Sequence, residues 1–458
     1  MGHRSKIIKI SDFYAKKLNN YRDIFIYLPE GYDADTELRY PVLYMHDGQN
    51  IFSISNKSLS GCSWNIDYTA DELIRQGKIK KIIIVGVSNN TSRGGEYTHF
   101  SCINRVVKGG ALGDYKLSVD GRGLLYEDFI INDLKPYVDS KFRTMSDSEN
   151  TAMIGSSMGG LVTYNIGFRN PGIFGKLGIM SPAFFWEDLK SLSSVQKAPL
   201  KIWMDVGEGE DYFVNYAKDV ADVLIEKGYK SGDDFMYYQE PMAIHSELDW
   251  GKRVRMPLMY FFGNIGVPES CRLFGDDKTG ISEENLRINP VITYDSGFTI
   301  SQLNGSYCAE HPEVLDVCGD GTILGKSEGT SNVTFTYEGL KISRQYTVVK
   351  ELSNSVDITI NVKVPGKTPT EANVYMGTYV TKPLKLCRIG DKLYQGRFSF
   401  PRGLVVSFRF RREADVFGKP DLTLEKDKSM NEIDIRQFRA TEDKELFYTV
   451  ENWGDILP

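Results

Sequence analysis

The sequence has no apolar run long enough to cross a membrane and no run of lysine and arginine. A bilayer-spanning helix needs about 20 consecutive apolar residues, so we expect no membrane span. The net charge is −6 over 458 residues, and this balance without basic runs argues against a nucleic-acid partner. We therefore expect an ordinary soluble globular protein.

Metal-binding patterns are also missing. The six cysteines include no C-x-x-C pair, and none of the five histidines stands at zinc-binding spacing from them. We therefore expect no structural metal and no cofactor. The even number of cysteines permits disulfides, but their spacing does not demand them.

The N-terminus carries no targeting signal of the common kinds. It lacks the apolar segment of a signal peptide, and Lys6 stands where myristoylation would require Ser or Thr. The sequence alone therefore predicts either a cytoplasmic protein or one whose leader has been removed.

Strand and helix patterns alternate over the first part of the chain. Several near-continuous apolar runs are typical of strands buried on both faces, and amphipathic helix patterns lie between them. This alternation predicts an α/β domain over residues 1–266, with helices on both faces of a parallel sheet. The clearest strand runs are residues 40–47, 81–87 and 200–206, and the clearest helices are residues 123–142, 213–228 and 250–262.

The composition changes after Gly263. Residues 267–285 are polar with two glycines, and we interpret them as a linker. Residues 286–351 and 352–458 contain short alternating strands separated by turn residues, which predicts two all-β sandwich domains. Because few contacts should cross such a linker, we expect a chain ending near Gly263 to fold and act alone.

The sequence GSSMG at residues 155–159 indicates a nucleophile. It follows a small, apolar strand pattern and precedes an apolar helix pattern, which is the context of the nucleophile elbow. The helix that begins there directs its free N–H groups and the positive end of its dipole towards the serine. We therefore predict that Ser157 is a catalytic nucleophile.

A nucleophilic serine needs a base, and a carboxylate must orient that base. In α/β-hydrolases the chain order is serine, acid, histidine. His245 is the only histidine that follows Ser157 within the α/β region, so we predict that it is the base. His46 precedes Ser157 and ends a strand, and we expect it to have a structural hydrogen-bonding role.

The residues alone leave the acid open. Asp205 lies within the strand pattern and is expected to brace the sheet. Glu208, Glu210 and Asp211 follow in the loop, where the acid of the triad belongs. The oxyanion hole should use the N–H of Met158 and a second N–H from the loop that follows residues 40–47.

Five motifs carry a resemblance to a known family. They are YPVLYMHDGQNIF (residues 40–52), Arg93 with Glu96-Tyr97, IGSSMGG (154–160), MDVGEGE (204–210) and His245-Ser246-Glu247. Together they resemble the esterase D-type "putative esterase" family of α/β-hydrolases over residues 21–263. Its members include feruloyl, acetyl-xylan and siderophore esterases and the mycolyl transferases.

The resemblance implies a set of roles. Ser157 would be the nucleophile, His245 the base and Glu210 the acid, while the N–H groups of Met158 and Gln49 would hold the oxyanion. This chain departs from the family at one turn. Relatives tend to carry Gly-Thr-x-Glu/Asp there, whereas residues 207–210 read Gly-Glu-Gly-Glu, which adds a carboxylate.

The substrate is expected to lie among three large side chains. We predict that Trp64, Arg93 and Trp186 line its binding pocket.

The β regions resemble two other kinds of domain. Residues 286–349 are similar to bacterial immunoglobulin-like repeats of surface proteins, and residues 356–453 are similar to starch-binding-type carbohydrate modules. Such modules stack sugar rings on aromatic side chains. The segments after Gly377 and Phe410 contain no tryptophan, and Trp453 is the only one beyond Trp250. A scaffold role is therefore favoured for this module.

These features predict a serine carboxylesterase that removes feruloyl or acetyl groups from polysaccharides or related esters. Alternatives are a siderophore or small-ester esterase, an acyltransferase with the same triad, and a non-catalytic glycan-binding surface protein. The β domains favour a secreted, periplasmic or cell-surface location, and a cytoplasmic one stays open. The sequence does not give the acyl specificity or the oligomeric state.

Overall fold

A computed structural model describes residues 5–54, 62–109, 113–282, 286–378, 381–413 and 423–456. Residues 283–285 of the predicted linker lie outside these ranges. So do residues 379–380 and 414–422, which belong to the two segments of the C-terminal region that contain no tryptophan.

The described part of the chain alternates strands and helices as far as residue 262 and is almost entirely β beyond it. Strands β1 to β10 span Lys6–Ala15, Asn20–Leu28, Val42–His46, Ile83–Val87, Cys102–Val107, Tyr115–Val119, Thr151–Ser156, Lys176–Met180, Lys201–Gly207 and Phe235–Glu240. Helices α1 to α9 span Ile66–Arg75, Arg93–Glu96, Gly123–Asp128, Lys135–Lys141, Met158–Arg169, Leu189–Leu192, Tyr212–Glu226, Glu247–Arg253 and Arg255–Phe262. Strands β11 to β20 span Pro268–Phe274, Lys278–Gly280, Leu286–Arg287, Asn289–Tyr294, Thr299–Ser301, Ser306–Ala309, Leu315–Val317, Thr322–Gly325, Gly329–Tyr337 and Leu340–Val349. Strands β21 to β29 span Ser355–Lys363, Val374–Thr378, Leu384–Gly390, Leu393–Pro401, Val405–Arg411, Glu425–Lys426, Arg436–Arg439, Lys444–Thr449 and Asn452–Trp453.

Two predicted helices are each divided. A π-helical segment, Phe129–Leu134, separates α3 from α4, and Val254 separates α8 from α9.

A large mixed sheet organises the molecule. Among the described residues it has eleven strands in the order β1-β2-β4-β3-β7-β8-β9-β10-β15-β14-β11. The six strands from β4 to β10 in that order run parallel. The sheet is therefore parallel at its centre, as the apolar runs predict, and antiparallel at both ends.

Both faces of the central sheet are covered. Successive side chains of a strand point to opposite faces. In β3, Val42 and Tyr44 belong to one hydrophobic core cluster, which also contains residues of α5 and α7. Leu43 and Met45 belong to a second cluster, which contains residues of α1 and α9. This two-sided packing explains why the strand runs are almost continuously apolar.

The carboxyl ends of four neighbouring parallel strands create one functional edge. Strands β7, β8, β9 and β10 are adjacent in that order. The segments that follow them begin at Ser157, Ser181, Glu208 and Pro241. Residues far apart in sequence therefore meet along this edge.

The linker prediction is wrong for residues 268–280, most of which form strands. Residues 268–274 form β11, which pairs with β14, and β15 pairs with β10 at Tyr237 and Ser301. The region after the α/β segment thus extends the central sheet. The sequence of β11 does not show the apolar pattern of a strand, because among its residues only Cys271, Leu273 and Phe274 pack against this core.

Two further β regions follow. Strands β12, β20, β19 and β16 form one sheet and β13, β18 and β17 another, with a small core between them. The last region has the strand order β27-β25-β22-β23-β24-β21-β28 and encloses its own core, in which Trp453 is buried. The C-terminal part is therefore mostly β-strand, and we call residues 352–458 the C-terminal module.

Candidate active site

Ser157 stands at a sharp corner between β7 and α5. Its backbone angles are φ 58° and ψ −122°, a region that non-glycine residues rarely occupy. The corner requires Gly155, because a Cβ there would lie 2.4 Å from the carbonyl oxygen of Gly159. Ser157 is partly exposed, whereas the neighbouring Ser156 is buried. The corner therefore presents Ser157, and not Ser156, to solvent.

His245 is hydrogen-bonded to Glu210. Its Nδ1 lies 2.8 Å from Glu210 Oε2. The carboxylate is buried, and its Oε1 accepts hydrogen bonds from Ser181 Oγ at 2.6 Å and from Gly207 N–H at 2.7 Å. With Nδ1–H donating to the carboxylate, Nε2 is the nitrogen available to accept a proton. This contact fixes the orientation of the imidazole.

The surroundings of Glu210 favour its ionised form. Burial opposes ionisation, but His245, Arg253 and the Ser181 hydroxyl outweigh it, so the pKa of Glu210 lies below its ordinary value. The residue is therefore a carboxylate at neutral pH.

Ser181 connects the serine corner to this pair. The N–H of Ser157 donates to the carbonyl oxygens of Met180 at 3.0 Å and Ser181 at 3.1 Å, and the Ser181 hydroxyl donates to Glu210. The hydrogen bonds of the described residues include none between Ser157 Oγ and His245. Such contacts in serine hydrolases often tighten only when substrate binds.

The other acids of the loop have different partners. Asp205 is fully buried, where it accepts from Arg253 Nε at 3.0 Å and Trp203 Nε1 at 2.6 Å. Burial raises the pKa of Asp205 to about 6. Glu208 Oε2 accepts from the N–H of Met242 at 3.1 Å.

Asp211 precedes α7 with a φ of 49°. Of the four candidate acids, Glu210 is the one that the structure brings to His245.

Arg253 is a further residue of the site, for which the sequence motifs predict no role. Its buried guanidinium contacts Asp205, lies 3.3 Å from Glu210 and donates to Ser181 Oγ at 2.7 Å. It also reaches Glu240 at 3.1 Å. One cation thus compensates two buried carboxylates, Asp205 and Glu210, and a third, Glu240, that is partly exposed. No pattern in the sequence marks it, because an arginine on an amphipathic helix is ordinarily a surface residue.

Two backbone donors lie next to the serine corner. Met158 is the first residue of α5, so no carbonyl one turn earlier takes its N–H. Gln49 lies in a 3-10 turn, Gly48–Asn50, which directly follows Asp47. A Cβ on Gly159 would lie 3.3 Å from Asp47 Oδ2, so the two segments are in contact. The predicted oxyanion donors are therefore on neighbouring segments.

Arg93 orders the second of these segments. Its Nε and one terminal nitrogen each lie 2.8 Å from a different oxygen of Asp47, and Asn89 also bonds that carboxylate. Asp47 itself has a left-handed backbone, with φ 57°. Arg93, predicted to bind substrate, is thus engaged with the loop that carries Gln49.

His46 has the structural role expected of it. Its Nδ1 lies 2.9 Å from the hydroxyl oxygen of Tyr126, and the ring is buried. Burial lowers the pKa of His46 to about 4, so it is neutral at physiological pH.

The two predicted tryptophans differ in exposure. Trp64 is 5% exposed and packs against Trp250, whose ring meets His245 edge-on at 4.7 Å. Trp64 therefore lies in the core behind Trp250 and contacts His245 only through that ring. Trp186 is partly exposed, and a Cβ on Gly94, next to Arg93, would lie 3.9 Å from its ring.

A second aromatic ring, that of Phe213, also contacts His245. Phe213 lies 4.3 Å from the imidazole, measured between ring centroids, and packs edge-on against Phe185 at 4.7 Å. Phe185 precedes Trp186 in the chain. We call Phe185, Trp186 and Phe213 the aromatic wall.

Within the described residues, no group of three or more His, Cys, Asp and Glu side chains has the geometry to hold a metal ion. No helix among those residues is long and apolar enough to pass through a bilayer.

A family model described as "Putative esterase" matches residues 15–254, just over half of the chain. The chain belongs to this esterase family. The match contains all of β2 to β10 and therefore the whole of the site described above. Membership of the family supports hydrolysis of esters as the activity.

The esterase has curated relatives. It is 23% identical over 253 residues to the uncharacterized protein YbbA of Bacillus subtilis, covering 53% of this chain and 93% of that protein. It is 30% identical over 195 residues to an endo-1,4-beta-xylanase/feruloyl esterase of Xylanibacter ruminicola. That second match covers 40% of this chain and 23% of the relative, so it spans about a quarter of the relative's length.

Solved structures are also similar to the esterase. A ferulic acid esterase of Anaeromyces mucronatus in complex with ferulic acid is 20% identical, with a TM-score of 0.41, and the match covers 56% of this chain and 90% of that one. The enterobactin esterase of Shigella flexneri is 16% identical, with a TM-score of 0.42, covering 56% and 59%.

Proposed function

We propose that the chain is a serine carboxylesterase with Ser157 as nucleophile, His245 as general base and Glu210 as the acid of the triad. The observation that carries this proposal is the 2.8 Å contact between Glu210 and His245 Nδ1, beside a serine held in a strained strand-to-helix corner. A glycan-binding protein without catalysis would have no use for a buried carboxylate hydrogen-bonded to a partly exposed histidine.

The mechanism follows from this arrangement. His245 Nε2 takes the proton of the Ser157 hydroxyl while the oxygen attacks the ester carbonyl. The N–H groups of Met158 and Gln49 stabilise the oxyanion as it forms. The imidazolium, paired with Glu210, then protonates the departing alcohol. Water, activated by the same histidine, hydrolyses the acyl-enzyme and releases the acid.

We propose an aromatic acyl group of the feruloyl type, esterified to a polysaccharide or a related alcohol, as the substrate. Phe213, beside His245, and Trp186 are the partly exposed members of the aromatic wall, and they support this choice, since aromatic rings pack well against one another. The name of the Xylanibacter relative, a xylanase/feruloyl esterase, agrees with it.

The test is hydrolysis of p-nitrophenyl acetate and methyl ferulate by the intact chain. Ser157→Ala should lower kcat by several orders of magnitude, as loss of a triad member does. Ser156→Ala is the matched control and should stay close to wild type, because Ser156 is buried behind the corner. Near wild-type turnover by Ser157→Ala would refute the mechanism.

The same assay separates substrate classes. A preference in kcat/KM for methyl ferulate over methyl acetate, which share a leaving group, supports the aromatic acyl group. Formation of a sugar ester instead of free acid when a sugar acceptor is added would indicate an acyltransferase.

A further inference from the structure

The C-terminal module touches the loops that carry the catalytic acid and base. We call residues 207–211 the acid loop and residues 241–246 the histidine loop. A Cβ on Gly209 would lie 3.2 Å from Val405 Cγ1 in β25. The side-chain nitrogen of Gln437 in β27 donates to the carbonyl oxygen of Met242 at 2.7 Å. Strands β25 and β27 are neighbours, so one face of the module meets both loops.

A single carboxylate joins the three parts. Glu208 Oε2 accepts from the N–H of Met242 at 3.1 Å and is also bonded to the guanidinium of Arg439. The Glu208 side chain is 8% exposed and that of Arg439 is 20% exposed, so the pair is largely shielded from water. Glu208 stands two residues before Glu210, and Met242 stands three residues before His245.

The histidine loop needs this support because its backbone is strained. Met242 has φ 63°, a left-handed conformation that costs free energy in a residue with a side chain. Its N–H is held by Glu208 and its carbonyl by Gln437, and Gln437 is itself fixed by a 2.9 Å contact with Ser407 Oγ. The carbonyl of Met242 is thus bonded to the module directly, and its N–H is bonded to the module through Glu208.

We propose that the C-terminal module is part of the catalytic apparatus, with Arg439 and Gln437 acting as positioning residues. Arg439 neutralises Glu208, and Glu208 then holds Met242. Gln437 holds the opposite side of the same residue. Together they hold the acid loop and the histidine loop at the relative position in which Glu210 contacts His245. This inference rests on the proposed triad.

Removing the contacts that Arg439 and Gln437 make with Glu208 and Met242 should lower the rate of ester hydrolysis. Displacement of a catalytic group by about 1 Å can cost on the order of 100-fold in rate. Neither Arg439 nor Gln437 needs to touch a small substrate, so substrate binding should change little. A positioning role therefore predicts a fall in kcat with KM almost unchanged.

The experiment measures kcat and KM for p-nitrophenyl acetate, together with Tm, on the full chain. We expect Arg439→Ala to lower kcat roughly 10- to 100-fold. Arg439→Lys should restore part of the rate, because an ammonium still neutralises Glu208 without the guanidinium's fork. Arg439→Ala combined with Glu208→Ala should lose no more than the worse single variant, since both remove one interaction.

Arg397→Ala is the matched control. Arg397 also pairs with an acid of the module, Asp357, at 2.8 Å, but on a largely exposed surface. It should keep wild-type kcat. If Arg439→Ala lowers Tm severely, Gln437→Ala serves as the second variant, because it removes no charge. We expect Gln437→Ala to lower kcat several-fold.

The outcomes distinguish this inference from the proposed function. Wild-type kcat in both Arg439→Ala and Gln437→Ala overturns the positioning role. So does a loss of kcat that follows Tm and is not rescued by lysine. If Ser157→Ala also remains active in this assay, the triad itself fails.

Discussion

Hydrogen bonds assign different roles to the carboxylates that crowd the end of β9. Glu210 orients His245, whereas Asp205 is occupied by Arg253 and Trp203. We expect Glu210→Gln to lower kcat by orders of magnitude while Tm stays close to wild type, because an amide cannot stabilise the imidazolium or fix its tautomer.

Asp205→Asn is the comparison for that variant. It also converts a carboxylate to an amide, but Asp205 contacts Arg253 and not the histidine. It should affect kcat far less than Glu210→Gln. The measurement is kcat of the two variants with the same ester. A larger loss of kcat in Asp205→Asn than in Glu210→Gln would assign the acid role to Asp205.

His46 predicts a pH dependence of stability. Burial lowers its pKa from 6.5 to about 4 in the folded protein. The unfolded chain therefore binds a proton at a higher pH than the folded one, and the stability present above pH 6.5 is lost as the pH falls towards 4. The difference corresponds to roughly 3 kcal/mol for this group.

The measurement is urea unfolding at a series of pH values between these limits. The His46→Gln variant has no titrating side chain at this position. Its free energy of unfolding should therefore fall less steeply with decreasing pH than that of the wild type. Parallel profiles for the two proteins would show that His46 is not the group responsible.

At the scale of elements, the loop that carries Gln49 is held by close backbone packing. A Cβ on Gly48 would lie 2.5 Å from the carbonyl carbon of Gly86 in β4, and backbone atoms cannot move aside cheaply. We expect Gly48→Ala to displace the Gln49 N–H and to lower kcat by about 10- to 1,000-fold, as loss of an oxyanion donor does.

Gly172→Ala is the control for that substitution, because nothing lies within 4 Å of a Cβ there. Kinetics and Tm of both variants should be compared. Equal kcat in Gly48→Ala and Gly172→Ala would remove this loop from the oxyanion hole.

Apolar patterning predicted the elements at the centre of the sheet but not those at its end. Residues 40–47, 81–87 and 200–206 contain β3, β4 and most of β9, because strands buried on both faces leave an unbroken apolar run. Strand β11 leaves no such run, since it lies near the sheet's end and few of its residues reach the core.

At the scale of the whole molecule, the core does not stop at Gly263. Ile292, Phe298 and Ile300 belong to the same hydrophobic cluster as Trp203, and Phe298 lies 5.8 Å from Trp203 between ring centroids. A chain ending at Gly263 would uncover this cluster and the edge of β10. We expect it to be insoluble or unfolded, contrary to what the predicted linker implied.

A chain ending near residue 352 is the matched comparison, because it retains all eleven strands of the central sheet. It should fold, as judged by circular dichroism and a cooperative thermal transition. A soluble, cooperatively folded chain ending at Gly263 would contradict the continuity of the core.

The sequence could predict the candidate site only in part. The elbow and the single suitable histidine give Ser157 and His245 from chain order alone. Resemblance to the family was needed to prefer Glu210, since four acids lie within seven residues. Arg253 and Arg439 were out of reach, because their importance depends on contacts across 43 and 231 residues of sequence.

The central claim is that Ser157 is activated by His245 and Glu210. It is tested most directly by treating the intact chain with a fluorophosphonate probe and mapping the modified peptide by mass spectrometry. We predict modification of Ser157 alone, unchanged in Ser156→Ala and strongly slowed in Glu210→Gln. Modification of another residue, or equally fast modification in Ser157→Ala, would contradict the account.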